Sequence, residues 1–190
     1  MSKNVSLFNP VLAKSRGKST DRKIWQNLPG SSASVAIFHG ALSTPQPILL
    51  LTHDTPSALR LEQELASLNK QAQLPICLFP DWETLPYDTF SPHQDIISQR
   101  LATLYQLSRM DKGIVIVPIS TLMQRLAPKQ YLEANSLIIK KGDKKDLHQL
   151  RQELEASGYR CVDQVMEHGE FSARGAILDI FPMGSKTPFR

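Results

Sequence analysis

Four short apolar runs limit what this chain can fold into. Pro47–Thr52, Ile76–Phe79, Gly113–Pro118 and Ser136–Lys140 are aliphatic and too short for buried helices, and stretches with helical or turn character separate them. After the first run, Thr55 and Pro56 supply an N-cap and a proline at the first helical position. Ala58, Leu61, Leu65 and Leu68 then recur on one helical face, which places Glu62, Glu64 and Asn69 toward water. Pro80 closes the second run, and Asp81–Pro92 reads as a proline-punctuated loop, with Ser91 or Asp95 capping the helix that follows. That helix runs to about Ser108 with Ile97, Leu101, Leu104 and Leu107 as its stripe, and Ser120–Leu126 is a short helix stopped by Pro128. Strands alternating with helices imply an α/β fold, a parallel sheet flanked by helices and covered on both faces.

The pattern changes further on. Asp143 is expected to cap a helix with Leu147, Leu150 and Leu154 facing inward and Gly158 as its stop. Tyr159–Met166 and Glu170–Phe181 then read as two strands of a hairpin turning around Glu167, His168 and Gly169. The expected organisation is a flexible basic leader over 1–23, an α/β domain over 24–142, and the start of a small β-rich α+β domain over 143–190. Little follows the hairpin before Arg190, so that domain is expected to be truncated.

The net charge of +4 is unevenly spread. Residues 1–30 carry six cations (Lys3, Lys14, Arg16, Lys18, Arg22 and Lys23) against Asp21; the rest, with 16 cations and 17 carboxylates, is close to neutral. The body therefore has no bulk attraction for duplex phosphates. Cys77 and Cys161 sit in strand-like surroundings and fit a reduced, cytoplasmic protein. The longest aliphatic run, Ile48–Leu51, is far too short to span a bilayer, so no membrane role is expected.

Most candidate chemistry weakens on inspection. Gly17-Lys18-Ser19-Thr20 ends like a phosphate-binding loop, but Leu12 stands where its first glycine belongs and no apolar strand precedes it. Asp81, Glu83, Asp88, His93 and Asp95 are rich in oxygen ligands yet lack metal spacing. Trp82, Tyr87 and Phe90 are expected to pin their loop onto the sheet. His39, His53, His148 and His168 are scattered singly, and Ser31, Ser32 and Ser34 lack the Gly-x-Ser-x-Gly elbow. No catalytic residue, metal or cofactor is assigned. The segment from Glu167 to Arg190 is the better candidate, because Glu170, Arg174 and Arg190 alternate with Phe171, Ile177, Ile180, Phe181 and Phe189. Such a set suits a protein interface, and equally an ordinary amphipathic hairpin with solvated charges.

Two long segments resemble one family. Asp81-Trp82-Glu83-Thr84-Leu85-Pro86-Tyr87-Asp88-Thr89-Phe90 with its continuation to Arg100, and Gly158–Gly184, are similar to the N-terminal, UvrB-like region of the bacterial transcription-repair coupling factors. The resemblance covers roughly residues 45–190. It implies a first domain built like a P-loop NTPase with a degenerate loop at Gly30, Ser31, Ser32, Ala33 and Ser34, Ala33 replacing the lysine and Ser32 the second glycine. It implies a second domain that docks UvrA, with Arg174 of Ala173-Arg174-Gly175-Ala176 and Arg190 of Pro188-Phe189-Arg190 at interface positions. Glu170, Phe171, Arg174, Phe181 and Arg190 are the expected partner-binding residues. Only 11 residues separate Phe79 from Ser91, with no long aromatic hairpin of the UvrB kind, so strand separation is not expected. For the whole protein the resemblance implies an ATP-dependent translocase on double-stranded DNA. It displaces stalled RNA polymerase, uses ATP and magnesium in motor domains elsewhere, and masks the docking face through its C-terminal region. The competing readings are a nucleotide-dependent helicase or DNA-binding domain, and a structural spacer without affinity for UvrA.

Overall fold

A computed structural model describes residues 8, 10, 23–85, 87–134, 139 and 142–190. The leader apart from Phe8, Pro10 and Lys23, the Gly17–Thr20 segment, and the fourth apolar run apart from Ile139 lie outside the described residues. In chain order the elements are α1 (Ser32–Ser43), β1 (Ile48–Thr52), α2 (Thr55–Leu68), β2 (Ile76–Leu78), α3 (Gln94–Leu107), β3 (Ile114–Pro118), α4 (Ile119–Leu122), α5 (Lys129–Ala134), α6 (Leu147–Ala156), β4 (Arg160–Cys161), β5 (Glu170–Arg174) and β6 (Ile177–Phe181). Contacts group them into two compact units. One takes the chain up to Phe79 with Met110–Leu122; the other takes Pro80–Arg109 with Met123–Arg190. The grouping does not follow the contiguous 24–142 and 143–190 division expected from the sequence, because the 81–92 loop and α3 gather with the later residues. No helix among the described residues is long and apolar enough to cross a membrane.

The first unit holds a three-stranded, fully parallel sheet in the order β1-β3-β2. All five residues of β3 are buried, as befits the central strand of a parallel sheet. Its Ile114 and Ile116 join Phe38 and Ala41 of α1, Ala58 and Leu65 of α2, Leu74 and Leu78 in one core. Cover is incomplete at the edge strand, however: Ile48 and Leu50 turn toward this core while Leu49 and Leu51 on the opposite face are about half exposed. The N-cap of α2 is Asp54 rather than Thr55. Its carboxylate accepts from Ser57 N at 2.8 Å, a span that the β-region backbone of Asp54 permits, and the Ser57 bonds hold its pKa below the ordinary value. Two of the polar residues expected to face water are used internally. Glu64 accepts from the buried Ser34 hydroxyl, and Asn69 exchanges hydrogen bonds of 2.7 and 2.8 Å with the Leu74 backbone.

In the second unit α6 and a mixed sheet share a core of Leu150, Leu154 and Phe171, backed by Tyr159, Leu178 and Ile180. The cap of α6 is Asp146, not Asp143, accepting from His148 N and Gln149 N at 2.8 and 3.0 Å. Sheet order is β4-β5-β6. The turn near Glu167–Gly169 connects the parallel pair β4 and β5, and the hairpin lies at Gly175-Ala176, between the antiparallel partners Arg174 and Ile177. Gly175 has φ +60°, the left-handed value that the first central residue of a two-residue type II′ turn needs. The crossover is held by Glu170. Its carboxylate accepts from Met166 N and Glu167 N, each at 2.9 Å, and pairs with Arg160 at 3.0 Å. Burial pushes that carboxyl up, but the two N–H groups and the guanidinium outweigh it and hold it below its ordinary 4.5.

Two expectations follow from these contacts. A Cβ at Gly113 would lie 2.6 Å from the Pro75 carbonyl oxygen, so Gly113→Ala should destabilise the first unit by roughly 1–3 kcal/mol in urea denaturation. A depressed Glu170 pKa stabilises the fold above the unfolded value, and that contribution disappears as pH falls through the folded one. Glu170→Ala should therefore cost about 1–3 kcal/mol at neutral pH by removing two charge-assisted backbone hydrogen bonds and the Arg160 pair, and should flatten the acid limb of the stability curve below about pH 4.5.

Candidate protein-docking site

Alternation along the hairpin sorts its side chains into two faces. Phe171, Leu178 and Ile180 point to the core; Glu170, Ser172 and Arg174 of β5 share the other face with Ile177, Asp179 and Phe181 of β6. Much of that outer face is closed. Glu170 is consumed by the 166–167 backbone, and the Ser172 hydroxyl donates to the Asp163 carbonyl at 3.3 Å. His168 stacks on Phe181 with ring centroids 4.0 Å apart. Only the turn end is open, where Arg174 donates to the Asp163 carbonyl and Ile177 is exposed. An antiparallel bridge from Ile180 to Phe189 brings the chain end alongside β6, so that Arg190 meets Asp179. The pair is bidentate, with Nε to Oδ1 at 2.7 Å and Nη2 to Oδ2 at 3.1 Å. The Arg190 hydrogen bond holds the Asp179 carboxyl below the ordinary range, and Arg174 adds to the effect. Two arginines thus flank one aspartate, beside the exposed Ile177 and Phe189.

Of the five residues expected to bind a partner, Arg174 and Arg190 present charge to solvent, Phe181 is half-buried, and Glu170 and Phe171 are buried. Phe171 has no surface to offer; its part is in the core. Ile177, named in the candidate segment, is exposed at the turn end, whereas Asp179 was missed, although correct placement of the turn at Gly175 would have put it opposite β5 by alternation alone.

The segment before and within α3 folds against the same unit. His168 Nδ1 is 2.9 Å from Asp95 Oδ1 and its Nε2 is 2.8 Å from the Ser185 carbonyl. Gly184 N donates to Ser98 Oγ at 2.8 Å. Here α3 is rotated from the expected stripe: Ser98, Arg100 and Thr103 are its buried residues, and Leu107 is exposed. Arg100 bonds the Pro80 carbonyl and lies 3.9 Å above the Trp82 ring; burial draws its pKa down to about 10, opposed by Asp81. The helix cap is His93, whose Nδ1 accepts from Asp95 N at 3.2 Å, instead of Ser91 or Asp95. The acidic residues are spent separately. Asp81 accepts from Trp82 N and Gln124, Asp88 accepts from Leu85 N, and Asp95 takes His168. Among the described residues no three His, Cys, Asp or Glu form a group that could hold a metal ion. Trp82 is half-buried, whereas Tyr87 and Phe90 project into solvent and pin nothing.

The loop at Gly30–Ser34 does not fit a nucleotide phosphate. Residues 23–29 form no strand to aim it. The Ser32 hydroxyl is turned onto the Pro29 carbonyl at 2.6 Å, and Ser34 is buried against the Glu64 carboxylate, a negative neighbour for any phosphate.

Residues 137–190 match the family described as the UvrB interaction domain. The chain is 56% identical over 171 residues to the transcription-repair-coupling factor of Haemophilus influenzae and 46% identical over 173 residues to that of Escherichia coli, covering 90% and 91% of its length. It is 31% identical over 163 residues to the factor of Bacillus subtilis. The chain spans about 15% of the length of the first two relatives. With a UvrB interaction domain at its C-terminal end and nine-tenths of its length aligned to these factors, the chain belongs to the transcription-repair-coupling factor family.

Proposed function

We propose that the open end of the β5–β6 hairpin is a docking surface for UvrA, and that the chain serves transcription-coupled nucleotide excision repair by recruiting it. The observation that carries this is the match of residues 137–190 to the UvrB interaction domain, a segment that contains Arg174, Ile177, Asp179, Phe189 and Arg190. Arginine and aromatic side chains beside exposed aliphatic surface have the composition from which most interface hot spots are drawn. In this reading the chain mimics the UvrB surface and needs no nucleotide of its own. The ATP-driven translocase on double-stranded DNA that displaces stalled RNA polymerase, with its ATP and magnesium, belongs to other regions of the whole protein. The C-terminal region that masks the docking face belongs there as well.

A nucleotide-dependent helicase role is the rival, and the misfit at Gly30–Ser34 speaks against it. Purified UvrA titrated with this chain should bind, and Arg174→Ala and Arg190→Ala should each weaken binding by about 2 kcal/mol or more. Both side chains are exposed, so the melting temperature should move only slightly, more for Arg190→Ala because it removes the surface pair with Asp179. Absence of binding would leave the structural spacer as the better reading. Melting with and without ATP and magnesium separates the rival: a saturating ligand at a hundredfold excess over its Kd would stabilise by about 2.7 kcal/mol, and no shift is expected.

A further inference from the structure

The loop between Pro80 and α3 carries a second apolar surface. Leu85, Tyr87 and Phe90 are 75%, 104% and 81% exposed, three large side chains within six positions. Scattered exposed hydrophobes are ordinary, but these are grouped around a pair of hydrogen bonds between Leu85 and Asp88. Glu83 and Tyr87 have φ of +57° and +73°, conformations that L-residues adopt only at a cost. Leu85 and Asp88 lock the turn, Leu85 N donating to Asp88 Oδ2 at 2.7 Å and Asp88 N to the Leu85 carbonyl at 3.1 Å. At the base, Arg100 grips Pro80 and Trp82, and Gln124 holds Asp81 at 2.8 Å.

The surrounding charge selects the partner. The loop's own charged residues beyond Trp82 are Glu83 and Asp88, both acidic, while Asp81 at its base is answered by Arg100. That sign repels nucleic-acid phosphates and anionic lipid headgroups alike, and it complements a basic protein surface. We propose that the exposed Leu85, Tyr87 and Phe90 are a docking surface for a protein with an apolar cleft rimmed by lysine or arginine, into which the three side chains insert. The loop is independent of the UvrA reading, because the hairpin end presents arginines and suits a partner patch of the opposite sign.

The test titrates the full chain with a synthetic peptide alternating leucine and phenylalanine with lysine, and with its lysine-to-glutamate counterpart, following backbone amide resonances. The basic peptide should move the signals of residues 83–90. Tyr87→Ser and Phe90→Ser should each weaken it about tenfold or more, and Glu83→Lys should weaken it as well. The glutamate peptide should bind at least about tenfold more weakly than the lysine peptide. Thermal melts of the variants should match the parent chain, since the substituted side chains are exposed. Arg174→Ala should leave the peptide affinity unchanged, so loss of UvrA binding and loss of this site are read separately. Equal binding of the two peptides, signals moving only outside 83–90, affinities unaltered by the Tyr87 and Phe90 variants, or no binding of the basic peptide would each overturn the proposal.

Discussion

The second unit is organised around a buried positive charge that has to be answered. Arg100 is 2% exposed, and even with its pKa drawn down to about 10 it stays ionised at neutral pH. The Pro80 carbonyl, the face of Trp82 and the nearby Asp81 carboxylate meet that charge from consecutive residues. A guanidinium can satisfy all three only if Pro80, Asp81 and Trp82 lie across α3 in one arrangement. The start of the loop and the rotation of the helix are therefore set together.

That rotation decides what the rest of α3 can do. With Arg100 inward, Thr103 three residues on comes inward beside it, while Ser98, roughly 160° round the helix from Arg100, is buried on another side together with the face that carries Asp95. Ser98 then reaches Gly184, and Asp95, one turn earlier, reaches His168. Through these polar contacts the 81–100 segment, distant in sequence from the hairpin, shares a unit with it. The two stretches that carry the family resemblance are thus parts of one structure. The Asp95–His168–Ser185 bridge also fastens the returning arm whose Phe189 pairs with Ile180, and that pairing brings Arg190 to Asp179.

The sequence disclosed what depends on local pattern. The β1, β2 and β3 runs, the α2 and α6 stripes and the parallel sheet follow from hydrophobic spacing, which buries Ala58, Leu65, Leu150 and Leu154 as expected. Caps were misplaced by one to three residues because several side chains near each helix start were competent: Thr55 beside Asp54, Asp143 beside Asp146. The hairpin was misplaced because Gly169 and Gly175 both accept positive φ, and choosing between them depends on Glu170 folding back onto residues 166–167. The inward face of α3 was illegible for a deeper reason. Its apolar stripe argued for Leu107 inward, while the decisive partners of Arg100 and Ser98, Trp82 and Gly184, lie outside the helix, and no helical period encodes them. At the candidate site, Arg174 and Arg190 were visible from the resemblance, but Asp179 between them required the register.

Asp179 changes how the hairpin end can recognise anything. A partner carboxylate approaching Arg190 must replace a bidentate bond that already exists, so exchange of one carboxylate for another returns little net free energy. The arginines then contribute through the planes and edges of their guanidinium groups rather than through a new carboxylate bond, and apolar surface at Ile177 and Phe189 completes the contact. A partner that left Asp179 in place and stacked on the guanidinium planes would keep the ion pair and add to it. The internal pair therefore favours a partner whose contact is aromatic or aliphatic at its centre and acidic only at its rim.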